Sequence, residues 1–281
     1  MLESARARAA ALQERAEEER QRHSSVDAVF EMVDRDGEVG GGLISAALAY
    51  RFFIWLLPLA LVAVAGLGIA AHKSEETPQE AAGSIGLAGL VSSSVAAAAS
   101  GPGRWYALII GIPALVYATS TLLRGLLGAH RLVWGDARDV RWRVTPAATL
   151  RLLALLLAFP VAAGVVSAIR ASTSPGPGIV AAIVSIAAYV VVWFTATLYF
   201  PHRTASWKAL LPGALLVGAG FWVLHAIAAY LLAPYAIAKQ GTYGVFGAAA
   251  ALLFGLYLLS RVIVFAAVVD ATLWERSHRD H

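Results

Sequence analysis

Six long apolar segments, 43–71, 105–127, 146–169, 179–200, 210–232 and 245–269, dominate this chain and leave few folds open to it. Each exceeds the roughly 20 residues that a helix needs to cross about 30 Å of hydrocarbon. Backbone groups in hydrocarbon must satisfy one another. Spanning elements are therefore helices or closed barrels, and the alternating pattern of barrel strands is absent. The expectation is an all-α, multi-pass membrane bundle with six transmembrane helices. Composition agrees: 59% of the 281 residues are hydrophobic and 14% charged, against about 45–50% and about 25% in soluble domains. That balance excludes an ordinary soluble enzyme, a disordered chain and a fibrous repeat. The absence of cysteine excludes disulfides, thiolate metal sites and cysteine nucleophiles.

Charge decides the topology. Residues 81–99 are long enough to span, but Ala, Gly and Ser gain little from lipid. With six spans, Arg22, Arg35, Arg131, Arg138, Arg141, Arg143, Arg203, Lys208, Arg276 and Arg279 share one side, against Lys73, Arg104, Arg170 and Lys239 on the other. A seventh span would separate the N-terminal tail from the other basic segments. The basic side is the cytosolic one, so both termini are expected there, with 72–104 an outer-side loop carrying short helices. No secretory signal is visible in the first 42 residues. The expected organisation is a cytosolic tail over 1–42, a transmembrane domain over 43–270 and a short cytosolic tail over 271–281. Within the first tail, Arg15–Glu19 and Glu18–Arg22 pairing predicts a solvated helix over 3–22. Val26, Val29, Phe30 and Val33 share a face, as in a helix lying in the membrane surface. Gly37 and Gly40 to Gly42 then form a hinge.

No HExxH, GxSxG, phosphate-binding loop or dinucleotide fingerprint occurs, and the histidines are scattered. The chain is expected to be no enzyme and to carry neither metal nor cofactor. His225 stands alone in the fifth span, either as a hydrogen-bonded neutral imidazole or as a proton relay. Pro58, Pro113 and Pro160 should kink their spans. The small-residue stripes Gly247–Ala251–Gly255 and Ala214–Gly218 should pack helices closely.

Charges inside the spans carry the functional signal, since each costs about 2.5–3.5 kcal/mol to insert. Arg124 and Arg151 lie near inner ends, where they snorkel. Arg51 and Arg261 each lie eight residues from an inner end, at Leu43 and Val269, and so at a matched depth of about 12 Å. Asp270 is the only acid close to a span, and it falls on the opposite face from Arg261. A positive excess is left in the inner half of the bundle. One reading is a cavity in which Arg51 and Arg261 receive an anionic headgroup, with Tyr50 and Tyr257 as hydrogen-bond donors and Asp270 nearby. The other is that these arginines bond backbone carbonyls or Asp270 and fix packing.

Several motifs then point one way. Ala47-Leu48-Ala49-Tyr50 with Pro58-Leu59, Ser120, Leu122 and Leu126 with Trp134-Gly135, Pro201, Trp207 and Leu211-Pro212-Gly213-Ala214, and Tyr243-Gly244, Gly247 and Leu256-Tyr257 follow in order across residues 26–275. In this the chain resembles the YihY/BrkB membrane proteins. The family's usual Gly-Ala-Glu-like ending is replaced by Ala266, Ala267 and Val268, with Asp270 two positions later, and Arg51 stands where an uncharged residue is common. The resemblance implies a six-helix inner-membrane protein linked to envelope integrity, of a kind suspected of exporting or flipping lipids or glycolipids. The family once carried the label ribonuclease BN, for which this sequence offers no metal constellation or acid cluster, so no nucleic-acid partner is expected. The expected partners are membrane lipids with anionic headgroups. A scaffold that organises the envelope and moves nothing is the alternative.

Overall fold

The computed structural model describes residues 22–74, 103–135, 144–172, 178–227 and 233–279. The helix expected over 3–22 and the doubtful segment 81–99 lie outside them, apart from Arg22. Seven α-helices are present among the described residues: α1 (Ser24–Glu38), α2 (Gly41–Ser74), α3 (Gly103–Trp134), α4 (Pro146–Ser172), α5 (Gly178–Thr197), α6 (Leu211–Ile227) and α7 (Ala233–Arg279). A 3-10 turn, Trp207–Leu210, leads into α6.

Among the described residues, four stretches are long and apolar enough to cross a membrane: Gly41–Gly66, Trp105–Trp134, Trp207–His225 and Ala249–Arg279. Helices α4 and α5, 27 and 20 residues long, contribute the shorter apolar runs Pro146–Phe159 and Ala182–Thr197. Pro58 and Pro113 lie inside α2 and α3 without ending either helix.

The six longer-range helices close into a ring. Each packs on its neighbours in sequence, and α7 returns to α2 while also touching α3. All six fill the middle. Leu48, Phe52 and Trp55 of α2 meet Leu122 and Leu126 of α3, Leu152 of α4, Trp193 of α5, Val217 of α6 and Ile263 of α7 in one core cluster. Close approach is visible where α6 meets α5: Ala214 is fully buried, and a Cβ at Gly218 would overlap Val190. The stripe expected on α7 is different, because Gly255 faces open space.

Of the four glycines expected to form a hinge, only Gly40 marks the break. It adopts a φ of 70°, a left-handed conformation that glycine reaches without strain. Gly37 remains inside α1 and Gly41 opens α2. Helix α1 has three distinct faces. Ala28, Met32 and Asp36, four residues apart, are buried against the bundle. Asp27, Glu31 and Arg35 carry charge to one side. Val29 and Val33 are exposed on the other.

One junction sets the order of the ends. Arg35 of α1 donates to Val133 O at the end of α3 at 2.6 Å and to Glu275 near the end of α7 at 2.6 Å. Arg203, from the α5–α6 link, reaches the same carboxylate at 3.3 Å. The tail, the end of α3, the α5–α6 link and the end of α7 therefore meet at one end of the ring. These are the segments that the basic-residue count groups together.

Candidate functional site

Arg261 is neutralised within the protein. Its Nη1 and Nη2 donate to Asp36 Oδ1 and Oδ2 at 2.6 and 2.5 Å, the two-point arrangement that suits a planar guanidinium and a carboxylate. Gly41 makes room for this contact. A Cβ there would overlap Asp36 Oδ1 and lie 2.9 Å from Arg261 Nη1. Counting acids within and beside the spans finds only Asp270 and leaves Arg261 in excess. The correction is that Asp36, on the separate helix α1, supplies the missing carboxylate.

Arg51 is satisfied differently. Its Nη1 donates to Thr121 O at 2.5 Å, using the second acceptor site of a helical carbonyl. The side chain crosses Gly125, where a Cβ would lie 2.7 Å from Arg51 Cδ. The two guanidinium groups do not share a level. That of Arg261 lies beside Gly41, the first residue of α2, and Arg51 stands ten residues further along the same helix, roughly 15 Å of rise. Similar distances from the apparent segment ends misled because α7 runs on to Arg279 rather than stopping near Val269.

Tyr50 is 62% exposed. Tyr257 is half-buried, with its hydroxyl 4.0 Å from where a Cβ on Gly42 would sit. Asp270 serves a third location. Its Oδ1 accepts from Gly213 N at 2.6 Å, placing a carboxylate at the first turn of α6. Backbone N–H groups there favour a negative partner. Gly213 permits this approach, since a Cβ would overlap Asp270 Oδ2 and lie 2.7 Å from Ala266 O. The structure thus sends Arg51, Arg261 and Asp270 to three separate partners. His225 is exposed on α6 with no polar partner among the described residues.

Sequence reasoning missed the clamp that joins α1 to α7. Arg276 Nη1 contacts Asp27 at 2.7 Å and Glu31 at 2.8 Å. Arg279 reaches Glu31 at 2.9 Å. Arg35 grips Glu275 at 2.6 and 3.0 Å. Together with Arg261–Asp36 these pairs hold α1 along the last helix. The available signal was the Ala28–Met32–Asp36 spacing, a buried stripe that ends in an acid.

Two cavities open near this end. One, of 470 Å³, lies among α1, α3 and α7, with Glu31, Asp34, Glu38 and Glu275 facing Arg35 and Arg279. The second, of 230 Å³, lies among α3, α4 and α5. Leu123, Leu127, Leu152, Leu155 and Phe200 line it, with Arg151 and Tyr199 at its polar edge. Arg51 and Arg261 line neither. Among the described residues no group of three His, Asp or Glu side chains could hold a metal ion.

A ring of apolar helices filled by its own side chains, with interior charges satisfied from within and an amphipathic helix clamped at one end, defines an all-α integral membrane protein. Its family follows from the sequence: the chain belongs to the family described as Virulence factor BrkB, whose sequence model matches residues 32–281. No curated protein and no solved structure matches the chain.

Proposed function

We propose that this chain is a six-span protein of the cytoplasmic (inner) membrane, with both termini in the cytosol, that transports or flips an anionic lipid or lipid-linked substrate in support of envelope integrity. It does so without catalysing a reaction and without a nucleic-acid partner. Helices α4 and α5 complete the six spans, and the exposed Val29 and Val33 of α1 rest in the membrane surface. One observation carries the reading. Arg35, Arg203, Arg261, Arg276 and Arg279 all contact carboxylates. Arg151 and Lys208, at the same end of the ring, have no carboxylate partner among the described residues. Cations left uncompensated at the rim of an apolar bundle attract the anionic lipids of the cytosolic leaflet. Because the ring is packed through its middle, the headgroup's path runs along the outside of the helices while the tails stay in lipid.

The packed core and the internally satisfied Arg51 and Arg261 favour a second reading, the scaffold. Reconstitution separates the two. The full chain is placed in liposomes of phosphatidylcholine and phosphatidylglycerol that carry head-labelled probe lipid, and a membrane-impermeant quencher reads the inner leaflet. Transport predicts protein-dependent loss of protected signal, faster for phosphatidylglycerol than for phosphatidylcholine. No acceleration of either lipid leaves the scaffold.

A further inference from the structure

We infer that the groove among α3, α4 and α5 is a binding site for an anionic phospholipid, with Arg151 on the phosphate and the first part of one acyl chain on the leucine-lined floor. The inference rests on the lipid-handling reading above and names the place and the residue.

The groove combines two chemistries that a lipid joins at its glycerol. Leu123, Leu127, Leu152, Leu155 and Phe200 offer hydrocarbon, and Arg151 offers a guanidinium. The Arg151 Cζ lies 5.6 Å from the centroid of the Tyr199 ring. A cation over an aromatic face is held sideways by the ring's negative face, which leaves the N–H edges free to fork onto phosphate oxygens. Tyr199 is exposed and adds a hydroxyl donor at the same rim.

Position supports a lipid rather than a soluble anion. Arg151 is the sixth residue of α4 and Tyr199 follows the end of α5, so both stand at the end of the ring where α1 lies. The neighbouring Leu150 and Leu198 are exposed, so the mouth opens on an apolar surface. The volume of 230 Å³ is smaller than the roughly 300–1,000 Å³ that encloses a whole small ligand. It suits the proximal part of a chain whose remainder stays in the bilayer. An inorganic phosphate would gain nothing from the leucine floor.

The test is native mass spectrometry of the full-length protein in detergent, supplied with equimolar dipalmitoyl-phosphatidylglycerol and dipalmitoyl-phosphatidylcholine. The wild type is expected to retain phosphatidylglycerol preferentially. Arg151→Ala should lose roughly tenfold of that preference, the scale of one charge-assisted contact, and Arg151→Lys should recover part of it. Ala148→Phe, which fills the groove from its α4 wall, should lower retention of both lipids while leaving Arg151 in place. A millimolar excess of inorganic phosphate should not displace the lipid. Wild-type retention in both Arg151→Ala and Ala148→Phe, with helical content and elution volume unchanged, overturns the site, as does displacement by free phosphate. The transport assay is read separately. Wild-type flipping together with unchanged lipid retention in Arg151→Ala overturns the site and spares the function, whereas retention that depends on Arg151, in a protein that flips neither lipid, does the reverse.

Discussion

The two sides of the ring treat the same residue type in opposite ways. Along α1 and α7, arginine is a fastener. Arg35, Arg261, Arg276 and Arg279 each hold a carboxylate across the contact between the two helices. Around the α3–α4–α5 groove, Arg151 stands over Tyr199 with no carboxylate among the described residues. The first arrangement satisfies charge within the protein and leaves nothing for a ligand. The second leaves a guanidinium to be satisfied from outside. An arginine in an apolar segment therefore does not announce a ligand by itself. What matters is whether a carboxylate reaches it from elsewhere in the fold.

The contrast breaks most visibly at Asp36. Asp36→Ala leaves Arg261 uncompensated among α1, α2 and α7. The expected loss is about 2–4 kcal/mol, below the range for a fully buried pair because the Arg261 side chain is 34% exposed. Thermal unfolding in detergent reads it, and adding Arg261→Leu should restore most of the loss by removing the orphaned charge. An unchanged midpoint for Asp36→Ala would mean that the clamp contributes nothing and that the two sides do not differ. Gly213→Ala comes next. Its new methyl would displace Asp270 from the first turn of α6, at a cost of about 1–3 kcal/mol. The same measurement checks it, and Asp270→Asn, which keeps an acceptor for Gly213 N, should cost less. Glu275→Gln removes the charge that Arg35 and Arg203 share. It should cost about 1 kcal/mol and be masked at high salt, where the wild-type contacts are themselves screened.

The architecture was legible because it follows from a local rule. Runs of apolar residues long enough to span must be helical, so the segments at 43–71 and 105–127 announce α2 and α3 without any knowledge of their neighbours. The grouping of ends was legible too, since basic residues mark a side, and Arg35, Val133, Arg203 and Glu275 do meet. The partners of Arg51 and Arg261 were not. Asp36 lies 225 positions from Arg261, and Thr121 offers Arg51 a backbone oxygen, which no side-chain pattern reveals. Counting charges span by span misses a carboxylate carried on a helix outside the spans. The groove was half legible. Arg151 reads from sequence as a snorkelling side chain at a helix end, but its partner ring, Tyr199, arrives from the turn that follows α5.

The smallest expected change in stability gives the sharpest form of the comparison. If the α3–α4–α5 side differs from the clamp only in lacking an acid, then supplying one should convert it. Ala148 lines the groove one turn before Arg151 on α4, the spacing at which a glutamate and an arginine pair along a helix face. Ala148→Glu should therefore move the unfolding midpoint little, within about 0.5 kcal/mol in either direction. It should nevertheless reduce retention of phosphatidylglycerol to the level of Arg151→Ala. Bulk is not the cause in this variant, because Ala148→Gln presents nearly the same volume without the charge and should keep a clear preference for the anionic lipid. Equal retention in the Glu and Gln variants would show that the charge state of Arg151 is immaterial, and the distinction between a fastening arginine and a receiving one would fall with it.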